Sequence, residues 1–191
     1  MSFSFPGLKR GKDGTKSLNK LLPNTGTPVI AVNSQGILTI AEPVTATDTM
    51  IIGDVTYTFM ADGTAVAAGD IDLGADEAAT KLAIVAAING TDSLNSPNPL
   101  VSASAFDSDV CALTARSHGT DGNAIVTTQE ITHASNIFDA TTLGTTTAGV
   151  DGTIGVAGEQ KIDDSYLYIC MNDGSGLIPS SWRRISLGSA Y

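Results

Sequence analysis

Between Asp48 and Asp151 the chain spells out local structures in one order, and that order restricts the fold more than any other feature. In Met50–Phe59, apolar Val55, Tyr57 and Phe59 alternate with Thr56, Thr58 and Met60, the period of a strand with one buried face. Gly53-Asp54 supplies the turn of a hairpin. After an acidic loop, the Ala-rich run from Asp76 to Ile88 reads as a helix spanning about 75–89. Asp76 and Glu77 suit its exposed N–H groups and dipole, and Asn89-Gly90 suits its left-handed end. On helical spacing Ala78, Leu82, Val85 and Ala86 should face the sheet, with Ile84 and Ile88 widening the stripe. Pro97 and Pro99 bar continuation and start the next strand in extended geometry. Val101–Phe106 and Val110–Ala115 form a second hairpin around Asp107-Ser-Asp109. A Gly-rich turn, Gly119-Thr-Asp-Gly122, then enters a strand over Ala124–Ile131.

This order resembles a small α+β module found in structural proteins of tailed bacteriophages, including one layer of some contractile-tail sheath proteins. The residues that carry the resemblance are Val55-Thr-Tyr-Thr-Phe59, Val101-Ser-Ala-Ser-Ala105, Leu113-Thr-Ala-Arg116 and Gly122-Asn-Ala-Ile125. They span just over half of the chain. Near the end, the strand Tyr166-Leu-Tyr-Ile-Cys170 and the strand holding Trp182-Arg-Arg184 resemble a short C-terminal element of phage virion proteins. The resemblance implies a mechanical role in a virion.

Charge is unevenly spread. Lys9, Arg10, Lys12, Lys16 and Lys20 are five of the ten basic residues, opposed before position 21 only by Asp13. The remainder of the chain holds five basic and 19 acidic residues. So acidic a body repels nucleic acid backbones, which argues against specific nucleic acid binding. An early basic segment gripping an acidic protein surface accounts for the five cations; contact with nucleic acid is the other reading.

Residues 1–27 show no sustained period and too few apolar groups for a core, so they read as an extended basic arm laid on a neighbouring subunit, or folded back on its own domain. Residues 28–157 form the β-rich module and 158–191 a small C-terminal hairpin lobe. Pro28–Val32 and Gly36–Ile40 read as two strands around Asn33-Ser-Gln-Gly36. Thr141–Gly149 reads as a linker or an exposed edge ribbon. The expected fold class is therefore α+β, mainly antiparallel sheet with one packed helix. Hydrophobic residues make up 42% of the chain but aromatics only 5%, which suits thin, tightly packed sheets better than a large ligand cavity. The leading Met1-Ser-Phe-Ser-Phe-Pro-Gly-Leu lacks the charge and apolar run of a signal peptide, and no stretch approaches membrane-spanning length. Assembly in a host bacterial cytoplasm is expected.

Catalytic signals are weak. His118 lies in the Gly-rich turn and His133 at a strand end, with no Gly-x-Ser-x-Gly elbow. Gly119-Thr-Asp-Gly-Asn lacks the Lys-Ser/Thr of a phosphate-binding loop. Asp70-Ile-Asp-Leu-Gly-Ala-Asp-Glu77 gathers four carboxylates, but Gly74 falls where an EF-hand would place its third ligand. A solvated loop entering the helix is favoured there over a structural cation. Cys111 and Cys170 read as two buried small hydrophobes rather than a disulfide. No catalytic residue, cofactor or metal ligand is assigned.

The expected function is a non-enzymatic virion protein, a capsid decoration or cement protein that binds the major capsid protein through its arm and forms homo-oligomers, as a trimer. The alternative is a tail or fibre component (adaptor, tail tube or appendage). Behind it stands a host-receptor or glycan-binding module using Tyr166, Tyr168, Trp182 and Tyr191.

Overall fold

The computed structural model describes residues 24–25, 28–29, 31–153, 155, 157–162, 166–171 and 182–187. In chain order its elements are β1 (Asn24–Thr25), β2 (Gln35–Thr39), β3 (Thr49–Ile52), β4 (Val55–Met60), β5 (Asp70–Asp72) and α1 (Glu77–Asn89). Next come β6 (Val101–Ala103), β7 (Val110–Ala115), β8 (Thr127–Glu130) and β9 (Ile137–Phe138). The chain ends with β10 (Gln160–Ile162), β11 (Tyr166–Cys170) and β12 (Trp182–Ser186). The class is α+β, dominated by antiparallel pairs, as the alternation and the Ala-rich run imply.

The chain divides into two compact units. The larger, built on residues 29–154, holds two four-stranded sheets. One has the order β6-β7-β2-β9 and the other β5-β4-β3-β8. Both hairpins form about the expected turns, with Ile52 opposite Val55 and Val101 opposite Ala115, but the strand expected over Val101–Phe106 ends at Ala103. Leu38, Ile40, Val101, Cys111 and Leu113 of the first sheet meet Met50, Ile52, Tyr57, Phe59 and Ile71 of the second in one buried cluster. Ile84, Ala87 and Ile88 of α1 close it.

The termini of α1 follow from its end residues. Asp76 is extended (φ −149°, ψ 176°), and its side chain accepts from Ala79 N–H at 2.8 Å. Gly90 ends the helix at φ 63°, ψ 39°, a left-handed conformation that glycine adopts without Cβ strain.

The inward stripe includes the expected Ile84 and Ile88, and Val85 packs beside them, but it differs from the expected one at Ala78 and Leu82. Thr80, Lys81, Ile84, Ala87 and Ile88 are buried, whereas Leu82 is 71% exposed and Ala78 is exposed too. Both stripes satisfy helical spacing because the helix is apolar nearly all round, so periodicity alone could not choose between them. The ion pairs of Lys81 with Glu77 and with Asp109 (2.8 Å) let its aliphatic stem enter the inward face.

Three further expectations are corrected. Among the described residues of 28–32, none pairs with β2. Val32 instead exchanges backbone bonds with Val150, and Val29 N–H donates to Thr153 Oγ1 at 2.7 Å. β2 takes β7 and β9 as neighbours, which puts Leu38 between apolar strands rather than at an edge. The Thr/Gly tract is therefore no linker. Leu143 is 2% exposed, and Thr147 bridges to Gln35. The strand expected from Ala124 begins at Thr127, after a 3-10 turn over Thr120–Ala124.

The smaller unit carries the sheet β1-β10-β11-β12. The β11–β12 hairpin matches expectation, with Tyr168 opposite Arg184. The parallel pairing of Asn24–Thr25 with Lys161–Ile162 does not appear in the sequence pattern.

Candidate interaction surface

The loop carboxylates singled out for chemistry sit in local structural roles. Asp70 Oδ2 accepts from Val66 and Ala67 N–H, both at 2.9 Å, and Asp72 Oδ1 accepts from Thr64 N–H at 3.2 Å. Asp76 caps α1 and Glu77 pairs with Lys81. The four carboxylates of this loop thus serve four separate local partners rather than converging, and among the described residues no group of three or more His, Cys, Asp or Glu is placed to hold a metal. His118 and His133 are both exposed. Cys111 and Cys170 are both buried, and burial pushes the Cys111 thiol up to about 11.

Gly119 has φ 90° and Gly122 is buried, where a Cβ would lie 2.6 Å from Ser34 Oγ and 2.7 Å from Ala115 Cβ. Glycine at position 122 therefore lets the turn pack closely on Ser34 and Ala115. Among the described residues, no helix is long and apolar enough to cross a membrane.

The aromatic candidates of the C-terminal lobe are not open platforms. Tyr168 is 9% exposed. The Arg184 guanidinium lies 4.8 Å from the Tyr166 ring centroid, and Lys161 Nζ lies 5.5 Å from that of Trp182. Cations therefore already face two of the rings that a sugar would need. Tyr191 lies outside the described residues, as do Lys9, Arg10, Lys12, Lys16 and Lys20.

What the larger unit does present is a groove of about 620 Å³ along the outer side of α1. Ala78, Leu82, Val85 and Ala86 form one wall, and Ala105, Phe106 and Ser108 of the β6–β7 connection face them. Of the residues that periodicity assigned to the core, Ala78 and Leu82 are thus exposed in the wall of a surface groove, while Ile84 and Ile88 are buried. At its floor Lys81 reaches Asp109 Oδ1 (2.8 Å) and the Ser108 carbonyl (3.1 Å), with Nζ 5.7 Å from the Phe106 centroid. Burial works against the Lys81 charge. Its bonds to Asp109 and Glu77 outweigh that and hold its pKa above the usual lysine value.

The electrostatics around this groove are one-sided. Residues 29–154 hold 15 acidic residues and two basic ones, Lys81 and Arg116. Lys81 is committed to two carboxylates, and Arg116 Nε donates to the Asn98 carbonyl at 2.8 Å. The other eight basic residues all fall within 1–28 and 155–191. The early basic run was legible in the sequence. That Lys161, Arg183 and Arg184 come together on one small sheet was not, because it depends on which strands pair.

Comparison of the chain with protein-family models, with curated proteins and with solved structures finds no match.

Proposed function

We propose that this chain is a non-enzymatic structural protein of a tailed-bacteriophage virion. It acts as a capsid decoration protein, binding the major capsid protein through its basic leading segment and stabilising the shell as a homotrimer. The observation that carries the docking role is the charge division. A rigid acidic body with both of its cations engaged internally cannot neutralise itself, while its basic residues lie in segments outside that body. Such complementarity steers copies and partners into register. The phage setting rests on the module resemblance, whose quoted segments fall on β4, β6, β7 and the turn before β8.

Support also comes from rigidity. No buried side-chain nitrogen or oxygen among the described residues lacks a hydrogen-bond partner, and such a body adds contact area without rearranging.

Purified particles carrying this gene test the reading by quantitative mass spectrometry of the chain. Copies on the order of hundreds per particle, in line with shell symmetry, support decoration. A dozen or fewer would move the protein to the tail or fibre, and absence from the particle would overturn the virion role.

A further inference from the structure

We infer that the groove along α1 receives the leading segment of a second copy of this chain, Phe3 to Lys12, with its apolar side chains in the groove and its cations on the acidic rim. The inference rests on the assembly reading above and gives the contact between copies a location.

The groove itself is the first argument. A helix that buries one face ordinarily turns polar groups to water on the other. Here Ala78 and Leu82 are exposed, Leu82 by 71%, and the half-buried Val85 and Phe106, which also pack on the core, line the groove beside them. The volume of about 620 Å³ lies within the roughly 300–1,000 Å³ typical of ligand sites, enough for aromatic side chains of an inserted peptide.

The rim specifies the charge of the occupant. Glu77, Asp107 and Asp109 adjoin the lining residues, against the single cation Lys81, which Glu77 and Asp109 already engage. Asp76 and Asp92 extend the negative field beyond either end of the helix. An occupant that joins large apolar groups to uncompensated positive charge therefore fits, and an acidic one does not.

Trp182-Arg-Arg-Ile-Ser-Leu187 has that composition but is already paired against β11; the leading stretch has it too. Phe3-Ser-Phe-Pro-Gly-Leu8 carries three large apolar side chains in six residues, and Lys9, Arg10 and Lys12 follow before Asp13, the first acid of the chain. Every copy displays the same acidic body and carries the same leader, so a second copy satisfies both halves of the contact.

The test places a photoreactive phenylalanine analogue at position 5 of the full chain and co-expresses it with a tagged copy lacking the probe. After irradiation, crosslinked peptides are located by mass spectrometry. The expected result is crosslinking to residues 78–91 or 105–108 of the tagged copy. Crosslinks confined to the probe-bearing chain, to another surface, or to a different protein overturn the inference, as does the lack of any crosslink to the groove. Leu82→Gln in the tagged copy should cut the yield at least about tenfold without lowering its Tm, since Leu82 lies outside the core; an unchanged yield also overturns it. The virion reading is tested separately. A chain that copurifies with particles but fails the crosslink keeps that reading and loses this one, and inter-copy crosslinks by a chain absent from particles do the reverse.

Discussion

Asn98, 1% exposed, joins both sheets through its side-chain amide and reaches the helix through its backbone. Its Nδ2 donates to the Ile52 carbonyl and the Tyr57 hydroxyl, both at 3.3 Å, and its Oδ1 accepts from Leu100 N–H (2.9 Å) and Val101 N–H (3.1 Å). Its backbone N–H reaches Ile88 O at the end of α1. Truncation to alanine would strand several buried polar groups at once, so Asn98→Ala should destabilise the fold by about 1–3 kcal/mol, read as a fall in the urea midpoint at unchanged slope. Asn89, Asn123 and Asn136 stitch other loops in the same way. Asp139 contributes to the acid response, as does Asp92, whose carboxyl is, against the effect of burial, also held low by hydrogen bonds from Asn95 and Leu94 N–H. Partial burial raises the Asp139 pKa, but donation from Thr145, Ile37 N–H, Thr146 and Ala140 N–H outweighs that and holds the carboxyl below the usual range. A depressed folded-state pKa gives stability that is present above the unfolded value of about 3.9 and lost as pH falls through the folded value. Tm should therefore hold steady above about pH 5 and fall below about pH 4. Asp139→Asn, which keeps an acceptor but cannot titrate, should make that fall shallower in a Tm-against-pH series.

At the level of elements, α1 shows how far local chemistry reaches. Its start at Asp76 and its stop at Gly90 follow from side-chain capping and left-handed geometry, and both stand in the sequence. Asp76→Ala should cost about 0.5–2 kcal/mol by freeing the Ala79 N–H, measurable by thermal unfolding. The hairpins were legible for a similar reason, since alternation and turn residues act over a few neighbours. The orientation of α1 was not. Its nearly uniform apolar surface permits two stripes, and the choice depended on Lys81 finding Asp109, a partner 28 residues away. The supposed hairpin at residues 28–40 failed on the same ground. A β-rich segment accepts any extended neighbour, and Val32 found Val150.

For the whole molecule, the division of charge dominates. If Lys9, Arg10, Lys12, Lys16 and Lys20 grip an acidic partner, replacing all five with Gln should weaken attachment to particles about tenfold or more, and the residual binding should lose its dependence on NaCl. Co-sedimentation across a salt series reads both effects, and unchanged attachment would make those charges incidental. The α+β class, the helix boundaries, the two central hairpins and the basic leader were all determined by the sequence alone, because each depends on residues close together in the chain. Only tertiary structure decided which side of α1 faces water, that Asn98 binds three elements, and that Lys161, Arg183 and Arg184 share one sheet. Those outcomes turn on pairings between distant segments, where many extended partners compete and local propensity does not distinguish among them.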